Sequence, residues 1–163
     1  MVTTASSQEP DMPAHTNNSV LINAPVDLVW SITNDLENWP RLFSDYASVE
    51  VLDRQDHLVR FRLTMHPDEN GQVWSWVAER ETDPDARIVR QRRVEPGPFE
   101  FMETRWEYEQ RPEGTSVRWI QDFAMTPTAP ADDQAMADRI NQNDKVQLEL
   151  IRAKIEHQAA AVR

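Results

Sequence analysis

The stretch FEFMETRWEYEQRPEGTSVRWIQDFAM, Phe99 to Met125, alternates apolar with polar residues over Phe99–Glu109 and again over Thr115–Met125, joined through Glu113-Gly114. Period-two alternation marks a strand with one face in a core, and a short glycine-bearing link between two such runs predicts an antiparallel hairpin. The same period extends backwards through Ala47–Asp53, Leu58–Met65, Val73–Thr82 and Arg87–Val94. Asn70-Gly71 predicts a second tight hairpin and Pro96-Gly97-Pro98 a break, so these runs form an antiparallel meander.

Beyond Met125, Thr126–Asp133 carries Pro127 and Pro130 and reads as a loop. From Asp132 to Val162 there is no Pro or Gly, which permits one helix of about 30 residues, roughly 45 Å long. Its apolar stripe is Met136, Ile140, Leu148, Ile151 and Ile155, and Asn141 and Asp144 interrupt it. Ahead of the meander, Ser19–Ile22 predicts a first strand, Pro25 opens a helix through Val26, Leu28, Val29 and Ile32, and Asn38–Phe43 predicts a second short helix. The fold expected is α+β, a curved seven-stranded antiparallel sheet around a long C-terminal helix, with two short helices after the first strand. Polar residues in the helix stripe are costly if packed dry, so a cavity is expected between helix and sheet. The domain is assigned to 15–158, with a disordered lead over 1–14 and a frayed end over 159–163.

Composition narrows the function. The 163 residues include no cysteine, which excludes disulfides, thiolate nucleophiles and Cys-type metal sites. With 17 Lys+Arg against 28 Asp+Glu the net charge is −11, which opposes a nucleic-acid partner. Neither a signal peptide nor a membrane-spanning apolar run is apparent, and a cytoplasmic location is expected. The glycines, at 71, 97 and 114, spell neither a dinucleotide fingerprint nor a phosphate loop, and His15, His57, His66 and His157 lack metal-ligand spacing. No metal or cofactor is expected.

Within VWSWVAER, Val73–Arg80, alternation places Trp74, Trp76, Ala78 and Arg80 on one face. Facing the helix, Arg80 would polarise carbonyl oxygens or stabilise an enolate; facing outward, it would lie over exposed tryptophan. Six tryptophans, among them Trp39 and Trp106, together with Phe43, Tyr46, Phe99 and Met102, suit a pocket for a flat, increasingly aromatic molecule. Tyr46 adds a hydrogen-bonding phenol. Arg87, Arg90, Arg92 and Arg93 form the one basic concentration, either a balanced strand face or a patch for an acidic protein.

NNSVLINAPVDLVWSITNDLENWPRLFSDYASVEVL (17–52), GQVWSWVAER (71–80), RRVEPGPFEFM (92–102) and WIQDFAMTPTAPADD (119–133) resemble the single-domain aromatase/cyclases of bacterial type II aromatic polyketide pathways, in particular the tetracenomycin and spore-pigment branch. The resemblance implies the helix-grip fold of the steroid-transfer-like superfamily. It also implies regiospecific first-ring aldol cyclisation, between carbons nine and fourteen, and dehydration of a poly-β-ketone tethered to an acyl carrier protein, without metal or nucleotide. Arg80 and Tyr46 take the catalytic places, and Trp39, Phe43, Trp74, Trp76, Phe99, Met102, Trp106 and Asn141 the substrate-binding ones. Ala78 departs from a serine and Glu103 from an asparagine. The alternative on the same fold is a carrier or sequestering protein for an apolar ligand, which has no need of Arg80.

Overall fold

The computed structural model describes residues 13–162. The strands are β1 (Ala14–Ile22), β2 (Tyr46–Gln55), β3 (Leu58–Met65), β4 (Ser75–Asp83), β5 (Ile88–Arg93), β6 (Phe99–Arg111) and β7 (Gly114–Met125). The helices are α1 (Val26–Thr33), α2 (Trp39–Leu42), preceded by a 3-10 turn at Leu36–Asn38, and α3 (Asp133–Val162). All strand pairs are antiparallel in the order β1-β7-β6-β5-β4-β3-β2, so the meander runs from β2 to β7 and β1 adds beyond β7. Register shifts in β2 and β6 mark bulges, which bend a sheet and increase its twist.

β1 begins at Ala14, five residues before the apolar pattern does. Its early inward positions, Thr16 and Asn18, are polar yet 2% and 6% exposed, so hydrophobic alternation could not reveal them. The lead expected over 1–14 otherwise falls outside the described residues. At the other end, α3 stays helical through Val162 and buries Ala159, where fraying was expected. β4 starts at Ser75; Val73 is exposed, and Trp74, whose carbonyl still accepts from Met65 N at 2.9 Å, donates from Nε1 to Asp68 Oδ2 at 3.1 Å. Asn70-Gly71 therefore lies in a longer loop between β3 and β4. The β6–β7 link is tight, with two residues between Arg111 and Gly114. Gly114 has φ +146°, and a Cβ there would meet the Ile22 carbonyl oxygen at 2.1 Å, so this corner accepts no side chain.

The interruption in the α3 stripe divides the core. Met136 and Ile140 pack with Phe99, Met102, Phe123 and Met125, whereas Leu148, Ile151, Ile155 and Ala159 join the larger cluster that contains Trp39, Phe61, Val89 and Trp106. Between these halves α3 carries Asn141, Asp144 and Gln147. Gln147 holds the start of β2 to the helix: it accepts from Ser44 N at 2.9 Å and donates to Ser44 Oγ at 2.7 Å.

Candidate functional site

A narrow slot opens against the inner face of the sheet, lined among others by Trp39, Phe43, Tyr46, Trp76, Met102 and Trp106; its lining includes none of the described residues of α3, whereas the sequence led to a cavity between helix and sheet. These are inner-face residues of β2, β4 and β6 together with α2 and the turn after it. Their rings support one another: Trp39 stacks on Tyr46 at 5.7 Å, Phe43 tilts against Tyr46 at 4.7 Å, and Trp106 stacks on Trp119 at 4.7 Å. The slot encloses about 70 Å³, room for a few waters, against the roughly 300–1,000 Å³ of ordinary ligand pockets. A larger ligand has to part these side chains. A concavity of about 430 Å³ lies across the sheet on its outer face, walled by Glu79, Glu81, Arg90, Arg92, Glu103 and Arg105. Its walls are charged side chains, among them the Arg60–Glu79–Arg92 chain of ion pairs.

Arg80 points inward and is 2% exposed. It donates from Nε and Nη2 to Asn34 Oδ1 at 3.2 and 2.7 Å, from Nη1 to Gln91 Oε1 at 2.8 Å, and its Cζ lies 5.0 Å from the centre of the Trp39 ring. The clamp at Asn34 is itself oriented, because Asn34 Nδ2 donates to Trp30 O at 3.0 Å at the end of α1. Among the described residues no carboxylate pairs with Arg80. Burial lowers its pKa to about 10, so it stays protonated at neutral pH. Arg80 does not line the slot; Gln91 does, and stands between the cation and the space.

Tyr46 lines the slot, and burial, with Asp45 and Asp144 nearby, raises its phenol above the ordinary value, so it is a hydrogen-bond donor at neutral pH. Trp74, Phe99 and Asn141 stand apart from the lining: Trp74 serves the β3–β4 loop, Phe99 packs in the smaller core cluster, and Asn141 Oδ1 accepts from Asn18 Nδ2 at 2.9 Å. Ala78 is fully buried on the inner face, whereas Glu103 is exposed on the outer face, so its departure from asparagine does not alter the slot. The arginine cluster is not one patch. Strand alternation turns Arg93 inward, with Cζ 3.9 Å from the Trp76 ring and 4.6 Å from Phe99, while Arg92 pairs with Glu79 and Arg87 with Asp27.

The sequence reading missed Asn34, Gln91, Thr104 and Gln121. The last three were within reach of the alternation rule, since Gln91 lies between Val89 and Arg93, Thr104 between Met102 and Trp106, and Gln121 between Trp119 and Phe123, all on the inner face. Where β1, β7 and α3 meet, Thr16 Oγ1, Trp119 Nε1, Gln121 Oε1 and Asp144 Oδ2 are buried without a hydrogen-bond partner among the described residues. Burial raises the Asp144 carboxyl to about pKa 8, so it is mainly neutral at pH 7.

Known proteins resemble this chain in sequence and in fold. A Streptomyces cyaneus protein whose name is that of a polyketide cyclase is 61% identical over 145 residues, covering 89% of this chain and 95% of that protein. The aromatase/cyclase Zhui from Streptomyces sp. R1128 superposes with TM-score 0.80 at 22% identity, covering 93% of this chain and 96% of the other, which establishes the helix-grip fold. A lipid transfer protein of Xanthomonas axonopodis shares that fold at TM-score 0.71 and 14% identity, covering 86% of this chain and 85% of its own. Residues 22–147 match the family described as polyketide cyclase / dehydrase and lipid transport, and the chain belongs to that family.

Proposed function

We propose that this protein is a polyketide aromatase/cyclase that closes and dehydrates the first ring of a poly-β-ketone held on an acyl carrier protein, joining carbons nine and fourteen. The observation that carries the reading is a protonated arginine with no carboxylate partner among the described residues, buried behind the wall of an aromatic slot. In the aldol step an enolate carbon bonds to a ketone carbon, whose oxygen takes a proton; loss of water then leads to the aromatic ring. Negative charge moves between oxygens throughout, and a fixed cation in a low-dielectric site stabilises it without reorganisation. Arg80 supplies that charge and passes it on through Gln91, whose amide is polarised by the guanidinium hydrogen bond. Tyr46 is the proton donor to the new alkoxide. The stacked rings of Trp39, Trp106 and Trp119 favour a planar product over an extended chain.

Entry requires the slot to widen, and the half-buried Trp76 and Arg93 are the side chains placed to swing. Carrier docking is proposed on the chemistry of a tethered substrate; of the four clustered arginines, Arg90 faces out and has no carboxylate partner among the described residues. The test is the product profile of a minimal polyketide synthase with and without the protein. An increase in the nine-to-fourteen product over shunt products is expected, and an unchanged profile would refute the reading. The second reading, carriage of an apolar ligand without chemistry, is supported by the lipid transfer protein that shares the fold. It requires Arg80→Ala to leave the profile as wild type has it.

A further inference from the structure

Gln91, Thr104 and Gln121 line the slot from three adjacent strands and stand directly opposite one another: Gln91 faces Thr104 across β5–β6, and Thr104 faces Gln121 across β6–β7. The row continues to Arg80 on β4 and to Thr16 on β1. Between β6 and β7 the inner-face pairs on either side are apolar, Met102 opposite Phe123 and Trp106 opposite Trp119, while further out the flanking rows carry Arg93 on β5 and Asn18 on β1. One polar stripe therefore crosses the sheet, passing between apolar pairs at β6–β7, and its side chains spring from backbone positions set at the inter-strand spacing of about 4.8 Å.

That spacing has a chemical counterpart. A chain assembled from two-carbon units carries oxygen on every second carbon, and six of its carbons closed into an aromatic ring hold those oxygens in a 1,3 relation. In such a ring the two oxygens stand about one strand spacing apart. The polarity of the row fits oxygens in both tautomeric forms. Gln91 Oε1 is committed to Arg80, which leaves Nε2 as a donor to a ketone oxygen. Thr104 can donate or accept. Gln121 is 9% exposed, its Nε2 reaches only the Met102 sulfur at 3.9 Å, and its Oε1 is buried without a partner, an acceptor for an enol or phenol hydroxyl.

We propose that Gln91, Thr104 and Gln121 act as a ruler for 1,3-related oxygens, fixing the register of the substrate on the sheet and so determining which of its carbons meet. The proposal deepens the cyclase reading and rests on it for the identity of the substrate; the spacing preference itself can be measured without catalysis.

Calorimetric titration with 1,3-dihydroxynaphthalene and 2,3-dihydroxynaphthalene, which differ in the separation of their oxygens, tests the ruler. Wild type is expected to bind the 1,3 isomer about tenfold more tightly, and a Thr104→Val/Gln121→Leu double variant to bind the two alike. Equal affinities in wild type, no binding of either isomer, or a preference that survives the double variant overturns the proposal. Should circular dichroism show the double variant unfolded, Thr104→Val alone must reduce the preference about threefold or the ruler is rejected. In the reconstituted synthase the folded variant is expected to close rings but to spread them over neighbouring carbon pairs. If wild type leaves the synthase's products unchanged, the cyclase reading fails and the titration still decides the ruler. If wild type directs closure and the variant keeps the same product ratio, the ruler alone fails.

Discussion

Arg60 and Arg92 flank Glu79 on the outer face of the sheet, with N···O separations of 2.6 and 2.5 Å, and each arginine side chain remains about half exposed. One residue further along the same strand, Arg80 faces the other way and donates to amide oxygens at Asn34 and Gln91, beneath the Trp39 ring and beside the Tyr108 phenol. The outer cations are neutralised and screened by water, so they contribute little to a distant charge. The inner cation is held by neutral dipoles in a dry site, so its field remains available to any oxygen brought near it. Residue type alone does not say which use an arginine has. Which face it occupies, and whether a carboxylate is waiting there, does.

Removing the inner charge is the severest way to break this contrast. Arg80→Ala is expected to abolish directed cyclisation, a loss of about 3 kcal/mol in transition-state stabilisation or a hundredfold and more in rate, measured as first-ring product against shunt products. Arg80→Lys should recover only part of it, because an ammonium cannot serve Asn34 and Gln91 with the fixed fork of a guanidinium. Circular dichroism is needed beside both variants, since truncation leaves two buried amides unpaired.

A subtler change makes the inside resemble the outside. Asn34→Asp would place a carboxylate where Arg80 now meets an amide oxygen, neutralising the charge while giving up the Nδ2 bond to Trp30 O, so circular dichroism must accompany it. Single-turnover cyclisation should slow by about tenfold, or about 1.4 kcal/mol. An unchanged rate would show that the net charge of the pair is immaterial and that Arg80 acts only by shape.

The third test concerns a second buried ionisable group, Asp144. The Asp144 pKa is raised in the folded state to about 8, chiefly by burial and further by Asp45, against an ordinary carboxylate value in the unfolded chain. Its stabilising contribution is therefore complete at pH values below the unfolded pKa and is lost as pH rises towards about 8. Wild-type Tm should fall by roughly 5–10 °C between about pH 5 and about pH 9, while Asp144→Asn should be nearly flat over that window. Parallel pH profiles for the two proteins would exclude Asp144 as the source.

The smallest effect is expected outside. Glu79→Gln breaks both outer ion pairs but should change stability by no more than about 1 kcal/mol in urea denaturation, less at high salt, and leave cyclisation as in wild type. A large loss of cyclisation here would mean that the two faces are coupled and that the contrast drawn above is false.

The amino-acid sequence by itself determined the antiparallel meander, the long last helix and the face that Arg80 shares with Trp76 and Ala78, because all of these follow from local periodicity; that this face turns inward was decided by the packing of the sheet. Arg80 is in phase with Trp76 and Ala78 on a strand, and no tertiary information is needed to put it on their face. The same rule would have turned Arg93 in and Glu103 out. It failed at β1, where the inward residues Thr16 and Asn18 are polar because they face the interruption in α3 rather than an apolar core. Tertiary structure alone decided the rest. Asn34 meets Arg80 across 46 positions of sequence, and the polar row from Arg80 through Gln91, Thr104 and Gln121 exists only in the cross-strand register. Register is set jointly by hairpin lengths, bulges and the docking of β1, so one residue's slip would send the row to the opposite face. Periodicity is written within each segment, whereas the spacing of oxygens that the slot can read is a property of strands laid side by side.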